Sequence, residues 1–437
     1  MIDWWHVPVC CEGLGVAEPA SPDSGRRPRT VCGVTEIMSG ATDVAWLVER
    51  SAELKGELLD FGHSKRFTRV LTDAVTARFG SVVVAEEEVF ANFLDHFVLQ
   101  HRLSDGRTIL ERFVRARGDL PRAERDLLLG WRDVLEGFFE VERLEGDVLV
   151  TVNLIDELTY RMRTNMGPAM FERFPPGSFL LARVVPILDE WLFTGSAAVL
   201  PAEREEWVCE FAAKTAMECP QLVFRNPQLL ARAWQQQRED RAHFIQFFGS
   251  DLVVLPGAEW AERMHEYWHH CSAVAASRIQ LDTAGLPAAQ TMGVIYDEDE
   301  GMSFFVEFGM LREVFDDPAL ITQPRYRDVV RHYLDDDSIS PLPLRRLAQA
   351  HPDHASQVFA RLLGRPSFTW SRDGERLLRS TKADHFAQPP TPRFAPLGPR
   401  LAAAFRRIGG SPNQPAASQP AIPRAGAGAD PGSVAPR

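Results

Sequence analysis

The sequence predicts an α+β chain. It expects a helical N-terminal region, a small antiparallel β-sheet or barrel in the middle, and a mostly helical C-terminal region with one β-hairpin. Three observations predict this. Apolar residues recur at helical spacing between Asp43 and Gln100. Five short runs rich in β-branched and aromatic residues crowd the stretch from Phe138 to Thr194, punctuated by Glu145-Gly-Asp and Pro176-Gly-Ser. Helical periodicity returns after Pro201 and is interrupted by two extended runs around the acidic Asp297–Gly301.

Residues 1–37 read as a disordered or mis-assigned N-terminal extension. Met1-Ile-Asp-Trp-Trp-His lacks the cationic start and apolar core of a secretory signal, and Met38 is the expected start. Residues 38–137 form the helical region. Val44, Leu47, Ala52, Leu54 and Leu58 give the first helix its apolar stripe. Ser64 is the expected N-cap of a second helix, which Gly80 ends. A third spans roughly Glu86 to Gln100, with acidic residues in its first turn, where the helix dipole favours them. Asp105-Gly106 makes a turn, and Thr108 with Glu111 has capping-box spacing for a short helix up to Arg117. Pro121 opens the next helix, whose expected face is Leu127, Leu128, Trp131 and Leu135.

The five short runs make residues 138–201 a β-rich module, and their close spacing favours a strongly bent sheet or barrel. Residues 202–387 form the mostly helical domain. A helix through Trp207 and Phe211 is followed by one that starts at Asn226-Pro227 and reaches Phe248. Asp251–Pro256 reads as an extended link, residues 258–279 as a helix, and residues 293–308 as the hairpin, with a solvated acidic tip. Helices at 325–334, after Ser340-Pro341 and at 352–363 complete the domain. Residues 388–437 are a Pro/Ala/Gly-rich tail with one last short helix near Leu401–Ile408 and disorder beyond it.

The order Phe-x-x-His-Phe (93–97), Arg102-Leu-x-Asp-Gly-Arg-Thr-x-Leu-Glu-x-Phe113, Arg117-Gly-x-Leu, Leu127-Leu-x-x-Trp131 and Phe139-Glu-Val resembles an uncharacterised bacterial family. Some of its members carry a zinc-binding SEC-C tail. The resemblance covers about residues 90–201 and again 299–382. The cysteine-rich tail itself has no counterpart in this sequence, so the resemblance implies an architecture and imports neither an activity nor site residues.

Composition narrows the function classes. A formal net charge of −12 argues against a general binder of nucleic acid or anionic membrane. No apolar run approaches the roughly 18 residues of a membrane helix. The 6 cysteines show no CxxC pair, the usage of a reducing compartment, so a cytoplasmic location is expected. Lysine occurs only at 55, 65, 214 and 382, leaving arginine to carry the positive charge.

One motif could carry chemistry. His265-Glu266-Tyr267-Trp268-His269 matches H-E-x-x-H, in which histidines one turn apart bind zinc and the glutamate activates its water. Glu298, Glu300 or Glu307 would be the third ligand. The helical wheel speaks against it. Trp260, Met264, Tyr267, Cys271 and Val274 define the apolar stripe, and His265 and His269 lie roughly 120° and 160° away on the solvated side. The arginines at 102, 107, 112, 115 and 117 form a basic cluster that neighbouring Glu111, Asp119 and Glu124 are expected to neutralise. The favoured expectation is a non-enzymatic binding or regulatory protein with a protein partner and no cofactor; nucleic acid is the less favoured partner. The alternative is a zinc-dependent hydrolase using His265 and His269 as metal ligands and Glu266 as catalytic base.

Overall fold

The computed structural model describes residues 44–80, 87–271, 289–387 and 389–409. The expected extension 1–37, the start at Met38, Glu86, Val274 and the end of the tail lie outside them. The chain is α+β and divides into two compact units. The first runs to Asn226 and takes in Leu397–Gly409, and the second runs from Pro227 to Pro396.

The first unit opens with α1 (Val44–Gly62), α2 (Thr68–Phe79), α3 (Glu87–Leu99), α4 (Ile109–Ala116) and α5 (Arg122–Gly130). Leu47, Leu54 and Leu58 bury the expected face of α1, while Ala52 stays exposed. Ser64 does not cap α2. That helix begins later, after Phe67, with no side-chain cap, because residues 64–67 close a turn in which the Phe67 N–H donates to the Ser64 carbonyl. The capping box forms as expected: Thr108 Oγ1 accepts from the Glu111 N–H at 3.2 Å, and Glu111 Oε2 accepts from the Thr108 N–H at 2.9 Å. Leu135 is not on the face of α5. The helix stops at Gly130, and Leu135 is the first residue of a strand.

Five strands follow: β1 (Leu135–Glu145), β2 (Val148–Asn153), β3 (Thr159–Arg163), β4 (Phe179–Ile187) and β5 (Glu190–Leu200). They close into a barrel in the order β1-β2-β3-β5-β4, with β4 returning to β1. The module is not wholly antiparallel, since β3 and β5 run parallel. This is the connectivity of the OB-type Greek-key barrel. Register shifts between Val141 and Arg143 and between Leu181 and Arg183 mark the bulges that bend so short a sheet closed. Strand alternation then sorts the faces. The pairs Leu149–Met162 and Thr151–Tyr160 are buried on one face, while Thr159 and Arg161 on the other face of β3 are exposed.

Val185, Ile187 and Leu192 on the outside of β4 and β5 join the core of α1 and α3–α5. Helix α3 comes so close to β5 that a Cβ on Gly195, whose φ is +67°, would lie 2.3 Å from Asn92 Oδ1. After the barrel come α6 (Glu205–Glu218) and the short α7 (Pro220–Val223).

The second unit is built on a sheet of β6 (Leu252–Pro256), β7 (Thr291–Asp297) and β8 (Gly301–Val306), in the order β6-β7-β8. The expected hairpin is β7–β8. The segment expected to be a link is its third strand, paired along its whole length with β7. Alternation gives the sheet two buried faces. Met292, Val294 and Tyr296 pack with α8 (Pro227–Phe248) and α9 (Trp260–Cys271). Ile295 and Phe305 face the other core, formed by α10 (Phe308–Asp316), α11 (Pro324–Asp335), α12 (Leu342–Ala350), α13 (Pro352–Leu363) and α14 (Glu375–Thr381). The short α15 (Ala383–Phe386) follows. The last expected helix forms as α16 (Pro399–Arg407) and packs in the first unit, where Arg400 bridges Glu205 and Glu140. No helix among the described residues is long and apolar enough to cross a membrane.

Candidate functional site

Trp260, Met264 and Tyr267 hold α9 in the second unit, with the Tyr267 ring edge-on to Phe244 at 5.4 Å. The opposite face is exposed and carries His265, Glu266 and His269. The two imidazoles converge. Their Nε2 atoms are 2.8 Å apart and the rings are nearly perpendicular, at 83°. The Glu266 carboxylate is engaged by Arg263, one turn back. Cys271 is exposed rather than part of the buried stripe, because the stripe runs off the core at this end of the helix.

Of the acidic side chains weighed as a third ligand, Glu298 is exposed and the other two are engaged elsewhere. Glu300 Oε1 lies 3.3 Å from His385 Nε2, and Glu307 Oε1 accepts from the Gln290 N–H at 3.2 Å. Among the described residues no group of three or more His, Cys, Asp or Glu is placed to hold a metal ion.

The acidic tip of the hairpin is solvated as expected at Glu298 and Asp299, and Asp297 organises its backbone. Asp297 Oδ1 accepts from the Asp299 and Glu300 N–H groups, and its Oδ2 meets Arg346 at 3.1 Å. Buried Gln237 donates to the Glu298 carbonyl at 2.7 Å from beneath. The basic cluster is neutralised in part, by Asp119 as expected and by other carboxylates, while Arg102 donates to the Gly106 carbonyl at 2.9 Å. Arg112 pairs with Asp105 at 3.0 Å, and Arg117 with Asp119 at 2.9 Å and with Glu57. Glu124 is drawn to Arg50 and Glu111 to Arg132.

Three groupings in the first unit escape a reading of the sequence. The first fastens α3 to the barrel. Asp95 is buried and is met by Lys55, by Thr194 Oγ1 and by Arg183 Nε at 3.0 Å. Burial alone would push its carboxyl up, but the Lys55 and Arg183 charges outweigh burial and hold it at about 2.

The second closes one part of the barrel interior. Tyr160 donates to buried Asp156 Oδ2 at 2.6 Å, and the Asn226 amide donates to the Asp156 carbonyl at 2.8 Å. Arg225 lies over the Trp191 ring at 5.4 Å and forks onto Asp133. Here burial dominates, and despite the Tyr160 hydrogen bond it raises the Asp156 carboxyl to about 6.

The third grouping is on the barrel surface. Arg163 reaches Asp147 in the β1–β2 turn at 2.5 Å and also Glu190 at the β4–β5 turn. Arg161 joins Glu190 at 3.1 Å to Glu145 at 2.6 Å, and Arg143 joins Glu145 to Glu142. These pairings bring the β1–β2 turn, the end of β3 and the β4–β5 turn together at one end of the barrel. The same three segments carry Leu144, Met166 and Leu188, all exposed. Met166 is 76% exposed, and Leu188 holds a left-handed conformation with φ +53°. The signal in the sequence was the outward alternation of Arg143, Glu145, Arg161 and Arg163. What brings them together is a register between strands that local periodicity does not encode.

No family model, no curated protein and no solved structure matches the chain.

Proposed function

We propose that the chain is a non-enzymatic binding or regulatory protein that recognises a protein partner through this end of the barrel. The observation that carries the reading is that Leu144, Met166 and Leu188 are exposed on segments that an arginine–carboxylate ladder ties together. Large apolar side chains left in water contribute little to the stability of the unit itself. Ringed by charged side chains, they have the make-up of a recognition patch, with apolar anchors and a polar rim. Three arginines there face four carboxylates, so the patch offers no surplus positive charge to a phosphate backbone, and a protein is the favoured partner over nucleic acid. Barrels of this connectivity serve many recognition tasks, which makes the fold compatible with the reading without specifying the ligand.

The test compares the full chain with a Leu144→Glu/Leu188→Glu variant as bait in extract of the source cells. A protein retained by the first and lost from the second, then rebound in purified form, supports the reading. Equal retention by both baits contradicts it.

A cytoplasmic location is proposed with it, supported by the free thiols of Cys209, Cys219 and Cys271. Kinship with the uncharacterised bacterial family that residues 90–201 and 299–382 resemble is proposed on the sequence alone. The alternative, a zinc-dependent hydrolase built on His265, Glu266 and His269, has the 2.8 Å approach of the imidazole nitrogens in its favour. Peptide or ester turnover abolished by Glu266→Gln would support it, and no turnover in zinc-supplemented protein would end it.

A further inference from the structure

We infer that His265 and His269 form an exposed two-imidazole binding site for a divalent transition-metal cation, whether or not any hydrolysis takes place there. The four-residue spacing sets the side chains one turn apart on one face of α9. The helix is a firm platform, because Trp260, Met264 and Tyr267 fix its other face in the core. With the Nε2 atoms 2.8 Å apart and the rings nearly perpendicular, one imidazole donates its Nε2 proton to the other. Replacing that proton by a cation lets both nitrogens turn a lone pair toward one point. Two nitrogens at the usual zinc–imidazole distance around a tetrahedral cation stand roughly 3.3 Å apart. Opening the observed pair to that separation takes only a small side-chain rotation.

The surroundings favour a cation. Glu262 and Glu266 flank the pair, and Arg263, the opposing charge, is already paired with Glu266. Imidazole nitrogens select copper, nickel and zinc over magnesium, calcium and manganese. Once one imidazole holds the cation, the second is at high local concentration, so losing either one weakens binding well beyond halving it. The exposed face leaves the remaining coordination positions to water or to a donor group of another molecule. His270 does not share the face, since its ring lies against Phe247 at 5.4 Å, and it serves as an internal control.

The experiment is calorimetric titration of the full chain with copper(II), zinc(II) and manganese(II) chlorides in a non-chelating buffer. The expected result is one saturable cation per chain, copper tighter than zinc and manganese undetected. His265→Ala and His269→Ala should each weaken binding about tenfold or more, while His270→Ala shifts it less than about twofold. All three positions are exposed, and far-ultraviolet circular dichroism confirms that each variant is folded. Glu266→Gln should leave cation binding intact, and saturable binding without any peptide or ester turnover keeps this site while ending the hydrolase alternative. No saturable binding, or binding insensitive to both His265→Ala and His269→Ala, overturns the inference.

Discussion

Asp156 makes the barrel's stability depend on pH in a direction opposite to that of an ordinary ion-paired carboxylate. Its carboxyl is buried against Tyr160 and sits at about 6, against an ordinary value of 3.8. The folded chain therefore keeps this proton between about pH 4 and pH 6, where the unfolded chain has released it. By linkage, the contribution is most favourable below pH 4 and falls away as pH rises through that window. The difference corresponds to about 3 kcal/mol at pH 7, of the same order as a fifth to a half of a typical domain's stability. Asp156→Asn keeps the shape, removes the charge and should flatten this part of the profile. The assay is urea unfolding of the full chain at pH 4.5 to 8, read by hydrogen exchange in peptides covering residues 148–163, so that the signal reports the barrel. The variant should match the wild type within about 1 kcal/mol at pH 4.5 and exceed it by up to about 3 kcal/mol at pH 8. Parallel profiles for the two proteins would refute the reasoning.

Asp95 should behave in the reverse way. Asp95→Asn leaves buried Arg183 with Glu136 alone and half-buried Lys55 without its carboxylate, and should cost about 3 kcal/mol in urea unfolding at pH 7; a loss below about 1 kcal/mol would contradict the network. Because its carboxyl is held at about 2, the stabilisation from Asp95 is complete above the ordinary 3.8 and is lost as pH falls toward 2, and acid titration of the same variant should lack that step. Gly195→Ala should destabilise the first unit by about 1–3 kcal/mol, since the added Cβ meets Asn92 Oδ1 and φ is +67°; an unchanged melting temperature would rule out the close approach of α3 and β5. Thr108→Ala removes the capping box and should cost about 1 kcal/mol, with faster amide exchange confined to the first turn of α4.

Much of this architecture was legible where the determinants are local. The capping box at Thr108 and Glu111 needs only a spacing of three, and it formed as read. The five strand runs and the β7–β8 hairpin declared themselves by alternation and by glycine at the turns, with Gly301 at φ +68°. Legibility ended where long-range partners decide. Asp251–Pro256 looked like a link because nothing within it reveals its pairing with β7 about forty residues on. Ser64 has the chemistry of a cap but sits in a turn that Phe67, almost wholly buried, pulls toward the core. The parallel β3–β5 contact exists only once the barrel closes.

The same limit applies to the sites. The helical wheel correctly placed His265 and His269 on the exposed face, because that depends on α9 alone. The Arg163–Glu190 and Arg183–Asp95 pairs span 27 and 88 residues, and no spacing rule reaches that far. Likewise only the closed barrel sets Arg161 between Glu145 and Glu190.

The central claim is that the barrel end bearing Leu144, Met166 and Leu188 is the recognition surface. Hydrogen-exchange mass spectrometry of the full chain with and without a purified partner tests it most directly. The account predicts protection concentrated in residues 142–148, 163–168 and 186–191, absent in the Leu144→Glu/Leu188→Glu variant. Protection confined to the second unit, or equal protection in that variant, would contradict it.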